Sequence, residues 1–405
     1  MAHASLIAAW VHRRRRVTPV LVFTGDSPGS TFSRTGDARY HDADGVVQVA
    51  ATGVLRNAHY VNGRRAVLLE PGRTNLCIRS QELNLWSASG ASVPTTNATA
   101  PDGSATAAVL QAASTAGWVG ITTTYTADGV KCVEVYLKAG TSIRSAIVIR
   151  DTTANVFRHQ VQVTWSGGVP SPTTASGSGT IFGVESLDDG WYRILLNADG
   201  IVAANTNQVR IYPDDAAGTG TVIAWNPQSE NAAYPTSPIP TTGVTASRNA
   251  ETLTLDVVQD WQAMTFYARI PYESGTGFSA GTYFALKPSA ASPVISINRD
   301  TSGNYRLSHN NGSATVHGAV GSASTLGAII EIRGIVYPDG SVQAGISVNG
   351  GAESLGARSA ANAFSATQPD RVEFGSVLNA PLLFSHFYVA NGVRSLAELR
   401  SAAGV

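Results

Sequence analysis

Val133, Val135 and Leu137 alternate along the chain with Glu134, Tyr136 and Lys138. The same two-residue period recurs where Val161, Val163 and Trp165 alternate with Gln160, Gln162 and Thr164, and where Val209 and Ile211 flank Arg210. Such a period sends one set of side chains to a core face and the other toward solvent, as in a half-buried strand. Clusters of Gly, Ser, Thr and Pro, such as residues 166–179, separate these runs and read as turns. Further runs are Leu253/Leu255/Val257, Met264/Phe266/Ala268/Ile270 and Ile295/Ile297. Ile330 and Ile332 open a hairpin whose turn is Pro338-Asp339-Gly340, where Pro presets the first turn position and Gly permits positive φ. Charged residues make up only 14% of the chain while glycines number 40, a composition of short strands and tight turns rather than helical bundles. The pattern predicts an all-β chain of antiparallel sandwiches. At 405 residues it is long enough for two or three domains.

Helix signals are confined to the two ends. Leu6, Ile7, Trp10 and Val11 fall on one helical stripe, His12 and Arg13, Arg14, Arg15 and Arg16 follow, and Pro19 ends any helix. This reads either as a short amphipathic helix with a basic end or as a solvated, frayed terminus. At the other end Ser395-Leu396-Ala397-Glu398 has the form of a capping box opening a helix to Ala402. The charges near the N-terminus follow the apolar patch, the reverse of a secretory signal, so assembly in a cytoplasm is expected. No apolar run reaches the roughly 18 residues of a membrane helix, and no membrane insertion is expected.

Residues that carry chemistry are sparse. A formal net charge of zero offers nucleic acid no global positive face. Cys77 and Cys132 are too few for a disulfide framework or a metal quartet, and they read as small buried hydrophobes. The eight histidines show no H-E-x-x-H spacing, and neither a phosphate loop nor a G-x-S-x-G elbow occurs. Asp188-Asp189 and Asp214-Asp215 are neighbours that point to opposite faces of a strand, so turn capping accounts for them. Asp42-Ala43-Asp44-Gly45 is likewise turn chemistry without the spacing of a calcium loop. The expectation is a chain with no cofactor, no metal and no enzymatic activity. A polysaccharide-cleaving pair of carboxyls remains the alternative, because residues distant in sequence can converge.

One stretch is more specific. From Ser30 to Trp86 the chain carries Phe32, Arg34, Ala38, Tyr40, Asp42 and Gly45, then Arg56, then Leu69, Glu70, Arg73, Thr74, Asn75 and Leu76. This resembles the leading segment of tailed-bacteriophage virion proteins found in tail fibres, tail tips and head fibres, with the form F-x-R…Y-x-D-x-x-G…L-L-E-x-x-R-T-N-L. A second stretch, Tyr234 to Glu251, is similar to the segment that closes the following sandwich in those families. The resemblance implies an attachment or assembly segment over 1–76, a carbohydrate-binding-module-like jelly roll over 77–247, and a concanavalin- or laminin-G-like sandwich over 248–405. Asp189 to Ile194 resembles a strand start of the first sandwich type, and Pro235, Pro238 and Pro240 read as a stiff connector between the two. Cleavage by a protease is expected near this junction, between Pro235 and Arg248, leaving two resistant pieces.

Implied too are a virion structural protein assembled in the host cytoplasm, a parallel homotrimer, contacts with other virion proteins, and binding to a host-surface polysaccharide. A polysaccharide-degrading tailspike and a head fibre or capsid decoration protein are the alternatives. Arg73, Thr74 and Asn75 are read as structural, with Arg73 forked onto a carboxylate such as Glu70. Trp10 and Arg13 to Arg16 are read as an attachment peg for another virion protein. Candidate sugar platforms are Trp118, Trp191, Tyr192 and Trp225, each set against core packing. Trp118 lies between Gly117 and Gly120 and is the most exposed of them by expectation.

Overall fold

In a computed structural model, residues 30–256, 263–271, 281–288, 294–300, 304–322, 327–364, 369–377 and 381–403 are described. The proposed peg, Trp10 and Arg13 to Arg16, lies outside them. The middle of the chain forms two facing six-stranded antiparallel sheets. A front sheet runs in the order Val169–Gly177, Val156–Ser166, Arg144–Asp151, Asn207–Tyr212, Trp118–Thr123, Ser87–Ser89. A back sheet runs Ile181–Ser186, Trp191–Ile201, Gly129–Ala139, Thr221–Glu230, Ala107–Ala112, Ala91–Ala98. Val133, Val135 and Leu137 of the back sheet meet Val161, Val163, Val209 and Ile211 of the front sheet in one core, as the alternation requires. Cys77 belongs to that core, and both cysteines are free thiols.

The C-terminal half repeats the architecture. A seven-stranded sheet holds Ser30–Ser33, Thr252–Asp256, Arg371–Val377, Gly281–Lys287, Ile295–Arg299, Asn304–Asn310 and Thr315–Ser322. It faces a five-stranded sheet of Ser354–Leu355, Val342–Val348, Ile330–Val336, Met264–Ile270 and His386–Asn391. Phe266, Phe284, Phe374, Phe384 and Phe387 cluster between them, with Phe284 stacked on Phe387 at 4.7 Å. The turn at Pro338-Asp339-Gly340 forms with Gly340 at φ 73°. The capping box also forms: Ser395 N–H donates to Glu398 Oε2 at 2.8 Å, and Glu398 N–H donates back to Ser395 Oγ at 3.2 Å, opening the helix Leu396–Ala403.

Residues 30–76 are woven into both halves. Ser30–Ser33 pairs with Thr252–Asp256, and Arg64–Leu69 pairs with Arg56–Val61 on one side and Leu382–Phe384 on the other. Arg73–Asn75 pairs with Ala246–Arg248. The hairpin of Ala38–His41 and Val47–Ala50 lies against the outer side of the back sheet, where Val47 packs with Tyr136, Trp191 and Trp225. This third layer overturns one reading of the alternation. Glu134 and Tyr136, expected to face water, are fully buried, because the back sheet is covered on both faces.

The proline-rich stretch also departs from expectation. Tyr234 through Ile239 are buried, Thr241 with them, and their backbone is held by other elements. Ser237 N–H donates to Glu70 Oε1 at 2.7 Å, Ile239 N–H to Gln228 Oε1 at 2.6 Å, and Thr241 N–H to Ser80 Oγ at 2.9 Å. Residues 234–241 form a clasped strap rather than an exposed connector, while the stretch that follows, around Val244, is exposed.

Candidate functional site

The strap threads a set of buried ion pairs. Glu251 accepts from Arg34 Nη1 at 2.7 Å and from Arg56 Nε at 3.1 Å, and Arg56 Nη2 also pairs with it. Arg56 Nη1 reaches Glu70 Oε2 at 2.7 Å, and Arg248 Nη1 meets the same carboxylate at 2.9 Å. Glu230 accepts from Thr236 N–H and Oγ1, both at 2.8 Å, and pairs with Arg73 at 3.3 Å. Arg193 Nε donates to Glu134 at 2.6 Å, Nη1 to Glu185 at 3.1 Å, and Nη2 to the Thr236 carbonyl at 2.7 Å. Arg34, Arg56, Arg73, Arg193 and Arg248 are thus each paired with one or more of Glu70, Glu134, Glu185, Glu230 and Glu251. Such pairing is needed, since one unpaired buried charge is costly.

The positions read as structural fall here, with different partners from those expected. Arg73 meets Glu230 rather than Glu70, because Glu70 is already held by Arg56, Arg248 and Ser237. Asn75 is fully buried: its amide donates to the Ile239 carbonyl at 2.9 Å, and its Oδ1 accepts from Cys77 N–H at 2.9 Å and Ser229 N–H at 3.2 Å. Thr74 Oγ1 lies 2.7 Å from Ser247 Oγ. Asp42 Oδ1 caps Asp44 and Val46, and Gly45 at φ 81° packs so closely that a Cβ would sit 2.6 Å from the Asp188 nitrogen. Asp214 accepts from four backbone N–H groups, those of Ala216, Ala217, Thr219 and Gly220, which is turn capping.

Two histidines complete the junction. His41 N–H donates to His59 Nδ1 at 3.2 Å, and His41 Nε2 lies 2.9 Å from Tyr136 Oη. Burial, then the Arg56 guanidinium, push His59 down to about 3. Burial, then His59 and Arg193, hold His41 well below its ordinary range. Burial pushes the Glu134 carboxyl up to about 8, against the pull of Arg193 and with Glu230 nearby. The histidines fold neutral, so their stabilisation is complete above the unfolded value near 6.5 and is lost as pH falls. Glu134 has the opposite sign: its contribution is complete below the ordinary carboxyl value and is lost as pH rises through about 8. Each group is worth about 1.4 kcal/mol per pH unit inside its window. Two histidines outweigh one carboxyl on the acid side, so stability is expected to peak near pH 6.5 and fall on both sides. Urea titrations from pH 4.5 to 8.5 check this; a midpoint that climbs steadily from pH 5 to 8 would contradict it.

The candidate sugar platforms divide. Trp191 and Trp225 are 1% and 0% exposed beneath the leading hairpin, so neither ring face can stack a sugar, and of the two readings set side by side for them it is core packing that applies. Trp225 Nε1 donates to Thr106 Oγ1 at 2.9 Å, and its ring meets Tyr136 edge-on at 5.0 Å. Tyr192 is half-buried and packs edge-on against Trp165 at 6.4 Å. Trp118 is half-exposed, on the outer face of the front sheet. Arg210 lies across Gly120 and stacks its guanidinium on the Trp118 ring at 3.8 Å; a Cβ on Gly120 would sit 2.7 Å from the Arg210 Cγ.

The ladder brings further groups to this face, none singled out from sequence as site residues. Ala146 is flanked by Gln162 and Tyr212, and Val148 by Gln160 and Arg210. Phe157, under Arg150 at 4.5 Å, sits at the far end. The result is an apolar floor of Ala146 and Val148 with rings at its margins and amides and guanidiniums above it. Period-two spacing marks Gln160, Gln162 and Arg210 as turned away from the core; Ala146 and Val148 lie in an unbroken apolar run, and only the strand order joins them to those groups. Among the described residues no group of three or more His, Cys, Asp or Glu is placed to hold a metal, and no helix is long and apolar enough to cross a membrane.

No family model matches the chain, and no curated protein matches it. Among solved structures it is similar to the binding domain of botulinum neurotoxin serotype D, at 10% identity and TM-score 0.29 over 38% of this chain and 40% of that one. It thus spans less than half of that domain's chain. It is similar also to the carbohydrate esterase vb_24B_21 from the Shiga toxin-encoding bacteriophage phi24B, at 12% identity and TM-score 0.25 over 38% of this chain and 83% of that one. The LG1-3 region of the laminin α2 chain aligns at 12% identity and TM-score 0.23 over 67% of this chain and 63% of that one.

Proposed function

We propose that this chain is a non-enzymatic structural protein of a tailed-phage particle, a fibre, spike or tip subunit, which binds a host-surface glycan on the outer face of its front sheet. One observation carries the reading. The two stretches that resemble phage virion proteins, 30–86 and 234–251, meet in a single buried junction through Arg34, Arg56, Glu70, Asn75, Arg248 and Glu251. The resembling residues therefore do structural work, holding two sandwiches in one body, and the ligand-facing surface is left to the sheets. The front face has polar chemistry for sugar: amides and guanidiniums for its hydroxyls, with Arg210 held flat on the Trp118 ring and Arg150 on the Phe157 ring. The same resemblance supports three copies about a common axis.

Glycan-array binding by the full-length protein tests the reading. Trp118→Ala is expected to lower binding at least tenfold, about 1.4 kcal/mol, while the melting temperature stays within a few degrees. Undiminished binding by the variant would remove this face from consideration. New reducing ends on incubation with host polysaccharide would replace the non-enzymatic assignment with a degrading one. Antibody labelling of intact particles separates a tail position from a head fibre or capsid decoration.

A further inference from the structure

In the other half of the molecule, the hairpin of Arg56–Val61 and Arg64–Leu69 and the strand Met264–Ile270 border an open cavity of about 410 Å³. That volume falls within the ~300–1,000 Å³ of small-molecule sites. Arg64, Arg65, Arg269 and His386 line it, and no carboxylate among the described residues does. Among the described residues three guanidiniums line one cavity, and Glu331, across the ladder from Arg269, is a carboxylate that acts on this group, so the lining keeps an excess of positive charge.

A neighbouring carboxylate makes its hydrogen bonds elsewhere. Glu331 stands across the ladder from Arg269. It accepts instead from Tyr267 Oη at 2.6 Å and from Arg400 Nε at 3.1 Å. The arginines at the rim are already oriented. Arg64 Nη1 donates to the Pro271 carbonyl at 3.0 Å and the Gly327 carbonyl at 2.5 Å, and Arg65 Nε donates to the Asn57 carbonyl at 2.9 Å. A guanidinium has five N–H donors, so most of theirs remain for a ligand. His386 Nδ1 lies 2.9 Å from Ser385 Oγ, and burial with Arg269 beside it holds the ring below its ordinary range, so it remains a neutral hydrogen-bonding group.

We propose that this cavity binds the carboxylate of an acidic saccharide, with Arg269 at its base and Arg64 and Arg65 at its rim. The planar guanidinium fork matches a carboxylate with two parallel hydrogen bonds. Ile329 and Pro271 give an apolar wall for the sugar ring. The site is separate from the front-sheet face, and either can stand if the other fails.

The test titrates sodium glucuronate into the full-length protein by calorimetry, with glucose and inorganic phosphate as comparison probes. Saturable glucuronate binding is expected, weakened at least tenfold by Arg269→Gln and weakened as salt rises, with no saturable glucose binding. Circular dichroism verifies the fold of the variant. Should Arg269→Gln not fold, Arg64→Gln on the exposed hairpin replaces it, with a loss of at least threefold expected. Absence of glucuronate binding, or equal binding by the folded variant, overturns the site. Phosphate binding as tight as glucuronate overturns the saccharide assignment.

Discussion

Glu251→Ala is expected to cost about 3–5 kcal/mol of stability, the range for removing one partner of a buried ion pair. Its carboxylate serves Arg34 and Arg56 and also accepts the Glu70 N–H at 2.8 Å. Without it, two buried guanidiniums are left with Glu70 as their one paired carboxylate, beside Ser237 Oγ and the carbonyls of Gly36, Arg39, Ala50 and Ala51. Denaturant unfolding followed by intrinsic fluorescence measures the loss. Glu251→Gln keeps the volume and part of the hydrogen bonding and should fall between alanine and the parent. A Glu251→Ala protein within 1 kcal/mol of the parent would show that the junction is not the clasp described here.

Removing residues 30–50 should be more damaging still. The deletion uncovers Tyr136, Trp191 and Trp225, strips the edge strand Ser30–Ser33 from Thr252–Asp256, and takes Arg34 away from Glu251. Aromatic side chains of this size bury about 150–250 Å² each. At about 25 cal/mol per Å² their exposure alone costs several kcal/mol, and the freed strand edge invites pairing with other chains. The expected outcome is aggregated or partly unfolded protein, read by light scattering and dye binding. A soluble, monodisperse product with the parent's melting temperature would mean that this segment is an appendage.

Several strands of both sandwiches were legible because each is half of a period-two pattern whose apolar set must be buried; Val169–Gly177, inside the Gly/Ser/Thr/Pro cluster read as a turn, was not, because its composition is that of a loop. The strand around Val133 to Lys138 shows the limit. Alternation distinguishes two faces but says nothing about what lies beyond the second. Glu134 and Tyr136 are polar enough to read as outward, yet the leading hairpin and the strap form a third layer over them. Trp191 and Trp225 were ambiguous for the same reason. The strap itself was obscured by its prolines, which signal stiffness equally in an exposed connector and in a buried segment. Arg73, Thr74 and Asn75 were readable as structural, but the carboxylate that Arg73 meets depends on who else claims Glu70, and that is a matter of three dimensions. The front face was hidden differently. Gln160, Gln162, Arg210 and Tyr212 lie on separate strands, and only the order of those strands makes them neighbours.

The pairing of the leading segment with the far half of the molecule also bears on how the chain is made. Arg34 finds Glu251 across 217 residues, and the strand Arg64–Leu69 waits for Leu382–Phe384. At ~5–20 residues per second, synthesis leaves Arg34 without its partner for about 10–40 s after it is made. The middle sandwich can condense in that interval, since its strands pair mostly with one another. Ser30–Ser33 cannot find its strand partner until the C-terminal half has emerged, because contacts so distant in sequence form last. A chain cut short before Glu251 therefore leaves its ribosome with the hairpin of Ala38–His41 and Val47–Ala50 able to close on the middle sandwich, but with Arg34 lacking its carboxylate and Ser30–Ser33 lacking Thr252–Asp256.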